Sequence, residues 1–377
     1  MDENTAGLRI AGVSLTDVSD FRQPVPPGKW SQIFSALAQR ATIVGTVSPE
    51  LPRSFACLGY ARNFYPSKER WLAQTGLDLR RAAKLTASAG RRLGSMRESY
   101  DLILQLQTLF APGSPAPAPY VIYTDNTFAL TRRFYPEWAP LTPRRAAAWR
   151  GFEADVCRAA LRVFTFSEFA RSSVVDDYGC DPLRVAAIGA GANQFAPSVA
   201  GKDYSRPLAL FVGRPFGLKG GPTLLEAWAT VRARLPGAEL IVAGPRGAAP
   251  SGLGPGITWL GRVDRSALAR LYTEASVFVL PTMYDAWGHV FLEAMGHGLP
   301  CIGTNICAIP EIIDDGATGR LVPRGDPRSL ADALLELLTD PELARRMGAA
   351  AHAKVRERMT WNHVAERLLG ELPDRVV

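Results

Sequence analysis

The sequence predicts an α/β protein built from two doubly wound domains, and three observations carry that expectation. Short apolar runs ending in glycine or proline recur along the chain, separated by stretches whose apolar residues have helical spacing. That alternation is what parallel sheets covered by helices on both faces require. The chain has 377 residues, 47% of them hydrophobic and 21% charged, which at roughly 150 residues per domain gives two ordinary domains with a core each. Near the middle, the polar stretch Ala196–Arg206 (APSVAGKDYSR) interrupts the pattern and is the best linker in the chain, so the domains are expected to divide into 1–197 and 198 onward.

The elements follow in order. Leu8–Val13 reads as the first strand, and the proline-rich turn Pro24–Gly28 leads to a helix with Trp30, Ile33, Phe34 and Leu37 on one face. Ala41–Val47 is the next strand, and a basic helical stretch runs from about Glu69 to Ser99. Asp101–Leu106 and Tyr120–Thr124 are strands separated by the loop APGSPAPAP; Val163–Phe166 is another, with Ser167 placed to cap the helix behind it. In the second half, Leu208–Gly213, Glu239–Gly244, Ile257–Leu260 and Val277–Pro281 are apolar runs suited to strands buried on both faces. After the first of these, Pro222 suits a first helical turn; Leu224, Trp228, Val231 and Leu235 step along one face, and Pro236-Gly237 ends the helix. Leu330–Leu338, Pro341–Arg358 and Trp361–Leu369 complete the pattern as helices.

Composition removes several classes. The hydrophobic content excludes a disordered chain, and the 29 prolines follow no collagen period. The longest charge-free stretch, Asp101 to Asp125, carries Pro112, Pro115, Pro117 and Pro119 and cannot be one membrane-spanning helix. The start, Met-Asp-Glu, lacks the features of a signal peptide, which sets the expectation of a cytoplasmic protein. Five scattered cysteines, with no C-x-x-C pair, argue against a disulfide framework or a zinc site. All four histidines lie at or after His289, so no histidine base can come from the first 288 residues. The formal charge of +7 is uneven: residues 51–100 hold ten basic and three acidic groups. Arg80, Arg81, Lys84, Arg91, Arg92 and Arg97 fall on the basic stretch 69–97, which suits an anionic membrane surface or an acidic acceptor. No nucleic-acid-binding pattern accompanies it.

Two segments carry chemistry. In FVGRPFGLKGG (Phe211–Gly221) a buried strand ends at Gly213, and Arg214 and Lys219 sit on a glycine-rich turn that opens a helix. Two cations beside free backbone N–H groups form a receptor for a diphosphate. In PTMYDAWGHVFLEAMGHGLP (Pro281–Pro300) a strand runs out, a loop carries Asp285, a helix begins near Gly288, and Glu293 follows within it. In an open α/β sheet such loops border the ligand crevice, where carboxylates can accept hydrogen bonds from sugar hydroxyls.

Together these segments resemble the donor-binding half of the retaining GT-B glycosyltransferases of family four. The signature of Glu, seven residues, Glu is met by Asp285 and Glu293 inside W-G-x-V-x-x-E-A-M and G-L-P flanks; Arg214 and Lys219 match the G-R…K-G turn, and IPEIIDDGATGRLVP (Ile309–Pro323) and MTWNHVAERLL match further motifs. The resemblance implies a GT-B architecture of two Rossmann-like domains: an acceptor domain at 1–197, a donor domain at 198–358, and a closing helix in 359–377 that packs back on the first. It implies a nucleoside-diphosphate sugar as donor, with Arg214 and Lys219 on the diphosphate and Trp287, Gly288, His289 and Val290 around phosphate and sugar. Glu293 would bind the ribose, Asp285 the sugar hydroxyls, and Val263 would lie near the base. No bound metal, cofactor or protein nucleophile is implied; the departing diphosphate helps to deprotonate an acceptor hydroxyl, and the fixed charge steadies the leaving group.

Three departures from the family pattern stand out. Asp285 is one methylene shorter than the usual Glu, Ile306-Cys307-Ala308 replaces a common Gly-Gly before I-P-E, and YTDNT replaces a strand-end histidine. Asp125 thus becomes the polar group expected at the acceptor hydroxyl, as base or orienter, with Gly28 and Lys29 nearby. Two other readings share the donor motifs: a sugar-nucleotide epimerase, and a non-catalytic sugar-nucleotide-binding protein. A dinucleotide-dependent oxidoreductase does not fit, because Gly189-Ala190-Gly191-Ala192 lacks the third glycine and no helix pattern follows it.

Overall fold

The computed structural model describes residues 7–23 and 28–373. The first residues read for a signal peptide, and all but Gly28 of the proline-rich turn, lie outside them. The chain divides into two compact units: one runs to Gly189 and takes in the chain again from Trp361, the other is Ala190–Thr360. From sequence the junctions fall instead at 197/198 and 358/359.

The first unit holds a six-stranded sheet: β1 (Arg9–Val13), β2 (Thr42–Val47), β3 (Leu102–Leu106), β4 (Tyr120–Thr124), β5 (Arg162–Thr165) and β6 (Val185–Ala187). Its spatial order is β2-β1-β3-β4-β5-β6 and every pairing is parallel. β3 and β4 are buried at every position, as expected of strands sandwiched between helices. Ala11, Val13, Ile103, Ile122 and Val163 of the sheet share one core with Leu85, Ala89 and Leu93 of helix Leu79–Gly94 and Val156 of helix Pro143–Ala159. Each buried Leu or Val there contributes about 1.5–3 kcal/mol. Helix Trp361–Gly370 belongs to this unit; Arg367 donates to the Ile188 carbonyl, and Glu366 and Glu371 pair with Arg40 and Arg162.

The second unit repeats the plan. β7 (Leu208–Val212), β8 (Glu239–Ala243), β9 (Ile257–Gly261), β10 (Val277–Leu280), β11 (Cys301–Thr304) and β12 (Gly319–Val322) lie in the order β12-β11-β10-β7-β8-β9, all parallel. The order reverses between β7 and β10. That is the topological switch point, where the loops leaving two adjacent strands part to opposite sides and open a crevice.

Most sequence-derived strands agree with the structure to within a residue. The long basic helix does not: it is two, Lys68–Gly76 and Leu79–Gly94. The break has a local cause, since Asp78 takes an extended conformation and its carboxylate accepts the Arg80 N–H, capping the second helix. The apolar pattern also did not announce β6, β11, β12 or helix Arg53–Arg62. No helix of the described residues is long and apolar enough to cross a membrane.

Candidate active site

In the second unit the two switch-point loops are stitched together by backbone. Met283 N–H donates to Leu218 O at 2.8 Å, and the Thr282 hydroxyl donates to Leu218 O at 3.3 Å. The contact is so close that position 220 must be glycine: Gly220 has φ +76°, and an added Cβ would lie 1.7 Å from the Pro281 carbonyl oxygen. Gly220 also starts helix Gly221–Arg234, with Pro222 in its first turn as the sequence suggested.

This stitching brings Lys219 to Asp285. Their Nζ and Oδ2 atoms are 2.5 Å apart, and both side chains are mostly shielded, 16% and 18% exposed. The second Asp285 oxygen accepts the Trp287 N–H at 3.4 Å. Arg214 is exposed and makes no hydrogen bond or ion pair among the described residues, so it stands as a free cation on the same turn. Gly288, at φ +88°, caps helix His289–Gly296, which places His289 and Val290 in its first turn and buries Trp287 before it. Val263 follows β9, half-buried, just before Asp264 caps helix Arg265–Glu274.

Glu293 lies on helix His289–Gly296, fixed from two sides. Its Oε1 accepts from Asn193 Nδ2 at 3.1 Å and its Oε2 from the Tyr272 hydroxyl at 3.3 Å. Burial raises its carboxyl above the usual 4.5, an effect that the two hydrogen bonds oppose. Arg265 in turn donates to Asn193 O and Gln194 Oε1, holding the segment that holds Glu293. Asn193, Tyr272 and Arg265 were not singled out by sequence reasoning; Asn193 and Glu293 are 100 positions apart, and nothing local marks the pair.

Cys307 lies near Asp285 and Lys219, both of which act on its thiol. It is one of two non-glycine residues with positive φ among the described residues, at +52°, a conformation that costs an L-residue about 1–2 kcal/mol. From sequence, Ile306-Cys307-Ala308 stands where the resemblance implies a Gly-Gly. Burial pushes its thiol up to about 11, with Asp285 and Lys219 among the groups acting on it.

In the first unit, Asp125 ends β4 and pairs with Lys29, Nζ to Oδ2 at 2.5 Å, both about three-quarters shielded. Gly28 caps the helix Lys29–Leu37 that carries the lysine, and the ammonium lies 4.4 Å from the Trp30 ring centre. The three residues expected on the acceptor side are thus neighbours. Behind them, the buried carboxylate of Glu153 accepts from Thr108, Tyr178 and the Phe128 N–H, tying together the loops after β3 and β4.

The architecture is found in solved glycosyltransferases. Sucrose-phosphate synthase from Thermosynechococcus elongatus superposes with a TM-score of 0.71 at 20% identity, covering 96% of this chain and 98% of that one. HepE of Anabaena, solved with UDP-glucose, gives 0.66 at 17% identity over 97% and 100%. The fold is therefore GT-B. Residues 193–354, within the second unit, match the family described as "Glycosyl transferases group 1". Curated relatives include a D-inositol 3-phosphate glycosyltransferase of Nocardia farcinica (32% identity, 58% of this chain, 53% of the relative). A phosphatidyl-myo-inositol mannosyltransferase of Mycobacterium leprae is similar at 32% over 54% and 56%. The match thus spans about half the length of these relatives.

Proposed function

We propose that this protein is a retaining, metal-independent glycosyltransferase that moves a hexose-type sugar from a nucleoside diphosphate to an acceptor hydroxyl. The observation that carries the proposal is the Lys219–Asp285 pair beside unpaired Arg214 at the switch point of the unit that matches group 1. An ammonium has three N–H donors, so Lys219 can keep Asp285 and still reach a diphosphate oxygen; Arg214 supplies a second, bidentate cation. Asp285 orients the sugar through hydroxyl contacts, and the backbone from Trp287 to Val290 meets phosphate at a helix start. Glu293 uses one lone pair on each oxygen for Asn193 and Tyr272, leaving two to accept ribose hydroxyls. Val263 borders the base. Retention and independence of metal and cofactor rest on the family resemblance; a working place in the cytoplasm is favoured by the scattered, free cysteines.

On the acceptor side Asp125, steadied by Lys29 beside Gly28, takes or orients the acceptor hydroxyl. The acceptor class comprises polysaccharide, glycolipid and secondary-metabolite precursors; the two curated relatives, by name, favour phosphate-bearing inositols. Incubation with a panel of nucleotide sugars tests the reading. Release of nucleoside diphosphate that depends on an acceptor and persists in EDTA is expected. Release without an acceptor points to an epimerase, and a thermal shift without release points to a binding protein.

A further inference from the structure

Helix Arg53–Arg62 buries only Gly59, and helix Lys68–Gly76 buries only Thr75. A helix on a folded domain normally hides an apolar stripe, yet these two point theirs outward. Nine large apolar side chains are exposed among the described residues, and five of them, Leu58, Tyr60, Phe64, Leu72 and Leu79, fall between positions 58 and 79. Phe64 is 66% and Leu58 59% exposed. The aromatics form one cluster: Trp71 packs edge-on against both Tyr60 and Phe64, each with ring centres 5.6 Å apart. An exposed cluster of this size marks a contact surface.

Charge identifies what it contacts. The cluster lies within residues 51–100, which hold ten basic and three acidic groups; Arg53, Arg70, Arg80 and Lys84 of this stretch are exposed, with Arg70 over the Tyr65 ring and Lys84 over that of Phe55. Beside it, Phe55, Gly59, Tyr60, Arg62, Asp78 and Arg81 line a cavity of about 190 Å³. Arg81 is half-buried there with no hydrogen bond or ion pair among the described residues, and Tyr60 and Asp78 act on it only through space. The Asp78 carboxylate also faces the cavity, but it is occupied by Asn63, the Arg80 N–H and Arg62. A second copy of so basic a surface would be repelled, whereas apolar side chains ringed by arginine and lysine suit the headgroup level of an anionic bilayer.

We propose that helices Arg53–Arg62 and Lys68–Gly76 dock the protein on an anionic lipid surface, with Leu58, Phe64 and Leu72 inserted and a lipid phosphate seated against Arg81. This goes beyond the basic stretch read from sequence, because the inserting residues lie mainly ahead of it.

Co-sedimentation with phosphatidylcholine vesicles, with and without phosphatidylglycerol, is the test. Wild type is expected to bind the anionic vesicles only, more weakly as salt rises. F64S/L72S should weaken binding by about tenfold or more and R81Q by about fivefold, with melting temperatures unchanged because the altered side chains are exposed or poorly anchored. The proposal is overturned if wild type ignores anionic vesicles or F64S/L72S binds as wild type does. It is equally overturned if glycerol phosphate alone shifts the melting temperature through Arg81 without vesicle binding, or if sedimentation shows a dimer that F64S/L72S dissolves. Nucleotide-induced thermal shifts, read on the same preparations, report on the donor site separately.

Discussion

The Lys219–Asp285 pair can be weighed directly by removing each partner and then both. At 2.5 Å two unit charges in an effective dielectric of about 20 attract by roughly 7 kcal/mol. Desolvation and side-chain ordering take back most of that, leaving a coupling of about 1–3 kcal/mol. Lys219→Met strands a carboxylate whose side chain is only 18% exposed, so it should destabilise the unit by about 2–3 kcal/mol. Asp285→Asn alone should cost less, because a lysine can redirect its ammonium to solvent. The double variant should be more stable than the sum of the single losses predicts. Urea denaturation followed by tryptophan emission reads the cycle, since Trp228 and Trp287 are buried in this unit. Calorimetry with nucleoside diphosphate should show affinity falling about tenfold or more in Lys219→Met and its double variant alike. Additive stability losses, or full diphosphate affinity in Lys219→Met, would refute the reasoning that one ammonium serves both partners.

Other outcomes follow from neighbouring features. Glu293 binds its proton more tightly folded than unfolded, so its contribution to stability is present at low pH and is lost as pH rises above about the ordinary 4.5 through the raised value. Glu293→Gln should flatten that part of a melting-temperature-versus-pH profile and lower affinity for the nucleoside; an unchanged slope would sink this account. Gly220→Ala forces a Cβ against the Pro281 carbonyl and should cost about 3 kcal/mol or more, read as a drop in thermal midpoint together with loss of nucleotide binding. Cys307→Gly relieves the positive φ and should stabilise by up to about 1 kcal/mol, measurable as a raised urea midpoint. With its thiol held near 11, Cys307 should alkylate slowly at neutral pH, which peptide mass mapping after iodoacetamide treatment would check.

The sheets were legible because a strand buried on both faces writes itself as an unbroken apolar run: Leu208–Val212 and Val277–Leu280 read correctly almost to the residue. Other strands were hidden. Val185–Ala187 has only three residues, and Gly319–Val322, though as long as Val277–Leu280, carries Arg320 and is buried only at its ends, so no unbroken apolar run marks it. The basic helix was overextended because composition cannot show where Asp78 turns from helix residue to cap. For the site, a motif marked Lys219, Asp285 and Glu293 individually. Their partners were invisible, since the pairing of Lys219 with Asp285 across 66 positions and of Asn193 with Glu293 exists only once β7 and β10 lie side by side.

The chain crosses between its two compact units twice, after Gly189 and again after Thr360. One unit is thus an insertion within the other, and the inserted piece is the contiguous one. Residues 190–360 can be excised as a single segment for separate expression. The host unit has no such cut: a fragment stopped at position 189 lacks the helix that carries Arg367 and Glu366, and Glu371 just after it. Loss of the segment from Trp361 onward therefore injures the unit whose sheet lies before Gly189.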